Sequence, residues 1–259
     1  MMTVALFGAG GSMGTRITNV LKGDPDYRML YVEPSEAGQA RLRAAGLSVT
    51  EPEKAARQAD VVILAVPDVL IGKVAAQIVP MLRSGGLVMS LDPAAPYGGK
   101  LPKRDDISYF VTHPAHPPVF NDETDPEARR DFFGSGKAKQ AIVCALMQGP
   151  EQDYAKGEAI ARRMFGPILR AHRVTVDQMV MLEPALAETL AATCVVVMRQ
   201  GMEEIIRRGV PAEAARDFLL GHIHIELAIV FNEIDWQFSA GAKKAIEEAK
   251  KTIFQPDWK

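Results

Sequence analysis

The strongest constraint on this chain lies in residues 3–23, where the apolar run TVALF empties into GAGGSMG and then into the helix-like TRITNVLKG. A strand that turns this sharply into a helix must keep its backbone clear of side chains, and glycine tolerates the positive φ that such a turn demands. Backbone N–H groups across Gly8, Ala9, Gly10, Gly11, Ser12, Met13 and Gly14 can then approach an anion at the helix N-terminus, an arrangement suited to a pyrophosphate. Two spacings fit the residues: G-x-G-x-x-x-G through Gly8, Gly10 and Gly14, or G-x-x-G-x-x-G through Gly8, Gly11 and Gly14. Either adds one residue to the standard dinucleotide-binding turn.

The following two thirds of the chain extend the same theme. Short β-branched runs (YRMLYVEP, ADVVILAVP, GGLVMSLDP, ISYFVTHP) alternate with helical patterns, and two more, QAIVCALMQ and ILRAHRVTVD, flank an amphipathic stretch from Gln152 to Met164. Such alternation predicts a parallel sheet covered by helices. From Gln178 onward the pattern turns helical over Pro184 to Arg208, Ala212 to Phe231 and Ala240 to Ile253, with breaks at Gly209, Pro211 and Gly241. The expected fold is therefore α/β, a Rossmann-type doubly wound, mainly parallel sheet in residues 1–177, followed by an all-helical domain in residues 178–259.

Composition narrows the partner. With 259 residues, 47% of them hydrophobic, the chain can fill a core without disulfides, and 30 basic against 32 acidic side chains leave a net charge of −2. That balance argues against nucleic acid and anionic membranes and for a small molecule. No run free of Asp, Glu, Lys and Arg is longer than Ile107 to Asn121, which is too short and too proline-broken to span a bilayer. MMTVALFGAG carries no basic leader, and Cys144 and Cys194 sit in apolar runs as packing residues, so the cytoplasm is the expected compartment.

In an open α/β sheet ligands lie beyond the carboxyl ends of the strands. There the sequence places the glycine turn, Val66, Pro67 and Asp68, then Asp92, then His113. Glu33 closes the second strand nineteen residues after Gly14, where a carboxylate can accept from adenosine ribose hydroxyls and repel a 2′-phosphate, favouring NAD over NADP. The segment HPAHPP begins at His113, and His113, His116 and Pro117 each precede a proline, which biases them toward extended or polyproline backbone. Polyproline spacing would set the two histidines about 9 Å apart along the axis, a poor grip on one ion. One histidine then serves as metal ligand or anchor and the other as acid or base; a rigid loop with two solvated histidines is the plainer alternative. If a metal binds, Glu183 is the candidate second ligand, since Pro184 suits a first helical position and would put Glu183 at a helix N-terminus, where it could equally be a cap. Glu188 would point roughly opposite. In GHIHIELAIVFNE, His222 and Glu226 share a helix face and His224 lies on another.

Together GAGGSMG, Glu33, ADVVILAVPD, THPAHPP and the helical C-terminal third resemble the 6-phosphogluconate and 3-hydroxyacid dehydrogenase superfamily over nearly the whole chain. The resemblance implies a histidine near the nicotinamide at the position of His113. It also implies a lysine early in the helical domain for hydroxyacid chemistry, yet no lysine occurs between Lys156 and Lys243. Within the superfamily the proline-rich segment is similar to that of oxidoisomerases acting on branched sugar acids, related in chemistry to ketol-acid reductoisomerase. That likeness implies NAD-dependent oxidation coupled to migration of a carbon group, and a divalent metal (Zn, Mg or Mn) held by His113 and Glu183. It further implies His116 as the proton carrier and a homodimer formed through the helical domain. The competing expectations are a metal-independent NAD-dependent hydroxyacid or prephenate-like dehydrogenase with an acid–base step at His113, and a non-catalytic NAD-binding regulator.

Overall fold

The computed structural model describes residues 1–255. Seven strands form one sheet: β1 (Met2–Phe7), β2 (Tyr27–Val32), β3 (Val61–Leu64), β4 (Leu87–Ser90), β5 (Ser108–Pro114), β6 (Gln140–Gln148) and β7 (Ile168–Arg173). Their spatial order is β2-β1-β3-β4-β5-β6-β7. The first five run parallel, β6 is antiparallel to β5, and β7 is parallel to β6. Every strand-like run of the sequence is a strand. β3 and β4 are apolar at nearly every position because helices cover both faces of the sheet, and alternate residues feed two cores. Val4, Leu6, Ile63, Met89 and Phe110 pack on one face with α1 (Ser12–Leu21) and α6 (Glu151–Phe165). Ala5, Val62, Leu64, Val88 and Tyr109 pack on the other with α3 (Pro52–Gln58) and α4 (Asp68–Ile78). Between β1 and β3 the strand order reverses, which opens a crevice at their carboxyl ends.

The helical part departs from expectation at its start. A capping box at Thr175, whose hydroxyl accepts from Gln178 N while Gln178 accepts from Thr175 N, opens α7 (Val176–Val180). Eleven residues of π-helix, Met181–Ala191, follow before α8 (Ala192–Arg207). Glu183 therefore lies inside a helix, not at its N-terminus. Pro184 has no N–H to donate and its ring crowds the preceding turn, and the wider π-turn accommodates it. The described chain divides into two compact units, Met1–Thr189 and a second beginning at Leu190. Residues 178–189, expected with the helical domain, go with the sheet because Met179 is buried against Val111 and Ala145.

The second unit holds α8, α9 (Ala212–Val230) and α10 (Ala240–Ile253), with Ala215 and Ala228 buried and Val195, Val196, Phe218 and Phe231 exposed. By length and composition the continuous helix Val176–Arg207 is long and apolar enough to cross a membrane, and none of its most apolar stretch is buried. A search for charge-free runs passes over it because Glu183 and Glu188 interrupt it.

Candidate active site

The glycine turn resolves the two spacings. Gly8 has φ +80° and a Cβ there would lie 2.3 Å from the Ala65 carbonyl oxygen; a Cβ on Gly10 would lie 2.5 Å from Gly38 Cα. At Gly11 nothing comes closer than 3.3 Å, so the constrained pattern runs through Gly10. Gly11 instead caps α1, with Ser12 and Met13 in its first turn and Gly14 just behind them.

Glu33, just past the end of β2, is tied into the glycine turn. Its Oε2 accepts from Gly10 N at 2.9 Å, and its Oε1 accepts from Ser35 N at 3.0 Å and from the Ser35 hydroxyl at 2.7 Å. A carboxylate offers about four acceptor positions, so one remains. Burial alone would raise its pKa, but the bonds from Ser35 and Gly10 and the charge of Arg41 outweigh it and hold the carboxyl below its ordinary range. Arg41, in α2 (Glu36–Ala44), clamps the turn from the other side, donating to the Gly10 carbonyl through Nε at 2.9 Å and Nη2 at 2.7 Å. A cavity of about 1130 Å³ opens beside this turn, lined by Gly8, Glu33, Gln39, Thr50, Arg57 and Val66 among others. Val66 and Pro67 lead from β3 into α4, whose first residue is Asp68.

Farther along the same edge, Asp92 follows β4. It is buried, its Oδ1 accepts from Ala94 N at 2.7 Å, and its carbonyl accepts from the Ser90 hydroxyl at 2.7 Å. Burial first, then the charge of Asp68, raises its pKa. His113 sits on β5 with Nδ1 2.8 Å from the Leu91 carbonyl oxygen. A carbonyl can only accept, so Nδ1 carries the proton and Nε2 presents a lone pair. Burial above all lowers the His113 pKa and favours the neutral ring. Its Nε2 lies 3.9 Å from Glu183 Oε1, and Glu183 Oε2 is buried without a hydrogen-bond partner. Burial, then the charges of Asp92, Glu188 and Asp68, pushes the Glu183 carboxyl up to about 7. The influence of Glu188 follows from the π-turn: hydrogen bonds there run i to i+5, which stacks residues that an α-helix would hold nearly opposite. The expectation for Glu188 is corrected accordingly.

His116 also departs from expectation. Its φ is +61°, not polyproline, and the segment folds back so that the two imidazole centroids are 6.2 Å apart in a T-shaped pair. The two rings are thus closer than the about 9 Å of a polyproline arm and near enough to approach one ion. What distinguishes the rings is their partners: among the described residues it is His113, not His116, that meets a carboxylate. His116 Nδ1 lies 3.1 Å from the Phe133 carbonyl oxygen and its ring 5.5 Å from the Phe133 ring. In the second unit, His222 has Nδ1 2.8 Å from the Phe218 carbonyl and stacks on that ring, a local helix contact.

A half-buried imidazole lone pair beside a carboxylate whose second oxygen is buried and unpartnered is a donor set that fits a divalent cation with open positions for other oxygens. Among the described residues no group of three or more His, Cys, Asp or Glu converges as an ion site. Sequence reasoning missed Arg41, Ser35, Phe133 and the Leu91 carbonyl. Ser35 alone left a signal, as a capping serine ahead of α2; the others act through backbone atoms or across long separations.

Residues 121–259 match the family of the phosphogluconate dehydrogenase (decarboxylating) C-terminal domain, and residues 3–93 match the coenzyme F420-dependent NADP oxidoreductase family. D-apionate oxidoisomerase of Cupriavidus necator is 58% identical over 257 residues, 98% of this chain and 92% of that one. D-apionate oxidoisomerase of Rhizobium rhizogenes is 55% identical, covering 100% of this chain and 94% of the other. A crystal structure of a semialdehyde dehydrogenase NAD-binding protein from Cupriavidus necator, in complex with calcium and NAD, superposes with a TM-score of 0.96 at 57% identity, over 100% of this chain and 94% of that one. With the turn, the strand-end histidine and relatives this similar from end to end, the chain belongs to the D-apionate oxidoisomerase family.

Proposed function

We propose that this chain oxidises D-apionate with NAD and rearranges the product to 3-oxo-isoapionate with the help of a divalent cation. The observation that carries the reading is the meeting of His113 Nε2 with the half-buried carboxylate of Glu183, on the sheet edge that also holds the glycine turn. A similar chain solved in complex with calcium and NAD supports the pairing of a nucleotide with a divalent cation. When bound, NAD accepts a hydride, and the cation polarises a ketone and holds adjacent oxygens together. His113 and Glu183 would hold the cation, the Leu91 carbonyl keeping the His113 lone pair on Nε2. The negative charge of Glu33 and its remaining acceptor position suit the ribose of NAD and disfavour a 2′-phosphate.

C2–H leaves as hydride, and the C2 hydroxyl gives its proton to His116 Nε2. The bond from C3 to one hydroxymethyl group then breaks as its electron pair forms the new bond to C2. The C3 hydroxyl becomes the ketone, losing a proton, and the former C2 ketone oxygen gains one. The exposed apolar faces of the second unit, including Val195, Val196 and Phe231, suit a second copy of the chain, and a cytoplasmic homodimer is part of the proposal.

Incubation with D-apionate and NAD tests the reading. NADH formation lost on chelation and restored by Zn, Mg or Mn is expected, with a rearranged carbon skeleton by ¹³C NMR. Turnover that survives chelation and gives an unrearranged 2-keto acid would replace this reading with a metal-independent dehydrogenase. Glu183→Gln should bind NAD normally and lose the metal response.

A further inference from the structure

Arg16, in the second turn of α1, is 5% exposed. Among the described residues no ion pair joins it to a carboxylate. Its Nη1 donates to the Phe133 carbonyl at 3.1 Å, and its buried Nη2 has no hydrogen-bond partner. The guanidinium lies between two rings, 5.1 Å from the Phe133 centroid and 5.0 Å from that of Phe165. Burial lowers its pKa to about 10 against the opposing pull of Asp131. A buried donor left unpaired is costly, and an apolar side chain of the same length would fill the space without that cost.

The same Phe133 oxygen that Arg16 holds lies 3.1 Å from His116 Nδ1. A carbonyl oxygen has two lone pairs, so it can take the Arg16 N–H on one and a His116 Nδ1–H on the other. The Phe133 ring likewise lies against both side chains. Phe133 belongs to an irregular loop whose hairpin is tied by Asp131, which accepts from Ser135 N, Lys137 N and Ala138 N. His116 itself holds a positive φ that a non-glycine residue keeps only when its surroundings insist. Arg16 anchors the loop carbonyl that supplies part of that insistence.

We propose that Arg16 is a positioning residue for His116, holding the imidazole through the shared Phe133 carbonyl in the Nδ1–H tautomer and so leaving Nε2 as the proton acceptor. The catalytic consequence rests on the reading of His116 as the proton carrier; the tautomer does not.

The test is ¹H–¹⁵N NMR of the imidazoles in the full chain, alongside steady-state kinetics. Wild type should show His116 as the Nδ1–H tautomer; an Nε2–H ring overturns the proposal without any variant. In Arg16→Met, His116 should become a tautomer mixture while His113, tied to Leu91, stays unchanged. Activity should then drop in kcat by on the order of tenfold or more, with KM for NAD unchanged. A folded Arg16→Met with the wild-type His116 tautomer overturns the proposal. A scrambled tautomer with unchanged kcat upholds the Arg16 link and removes His116 from the proton-transfer role. Should Arg16→Met fail to fold, Arg16→Gln decides. The shorter amide keeps a polar group but falls short of the carbonyl, so a His116 tautomer mixture is expected and a wild-type ring refutes.

Discussion

Replacing Glu33 by Gln tests whether this residue is a strut of the glycine turn, beyond the ribose contact proposed for it. The carboxylate accepts three hydrogen bonds, from Gly10 N, Ser35 N and the Ser35 hydroxyl, at a site 7% exposed. The amide has one oxygen. If it serves Ser35, the Gly10 N–H faces an NH₂ group and is left buried and unpaired, costing about 1–3 kcal/mol, and the two bonds that survive lose their charge assistance, about 0.5–1 kcal/mol each. The expected destabilisation is about 2–5 kcal/mol at pH 7 without NAD, read by urea unfolding. The pH dependence has a definite sign. The folded pKa lies below the ordinary 4.5, so the carboxylate contributes fully above that value and the contribution is lost as pH falls through the folded value. The gap between wild type and variant should therefore narrow only in acid. A variant within about 0.5 kcal/mol of wild type at pH 7 would refute the strut, because it would mean that the three bonds contribute nothing net.

The glycine turn makes a paired prediction. Gly10→Ala sets Cβ against the Gly38 backbone at 2.5 Å and should destabilise by about 1–3 kcal/mol and weaken NAD binding, as thermal unfolding and calorimetry would report. Gly11→Ala, with nothing closer than 3.3 Å, should be the milder of the two, and equal effects would contradict the assigned spacing. Sedimentation analysis should find a dimer for wild type and a shift toward monomer for Val196→Lys, which places a charge on a face that is 55% exposed in the single chain. A wild-type monomer at micromolar concentration would rule out the homodimer.

Much of this architecture is written in local pattern. The central strands are visible as β-branched runs, because a strand buried on both faces must be apolar throughout, and the glycine turn with Glu33 is legible by spacing alone. His113 is legible too, since the end of a parallel strand in an open sheet fixes which edge its residue occupies. The start of the helical region is not, because Pro184 reads as a beginning while the competing capping box at Thr175 supplies two real hydrogen bonds. Nor is the geometry of HPAHPP: the prolines bias the backbone by a modest energy, and contacts with Phe133, seventeen residues away, override that bias to give His116 its positive φ. Residue types and their order thus specified the sheet, its ligand edge and the residues to watch. Which histidine meets Glu183, which tautomer each ring holds, and that Arg16 and His116 share one carbonyl were decided by long-range packing, where side chains far apart in the chain compete for the same few backbone acceptors.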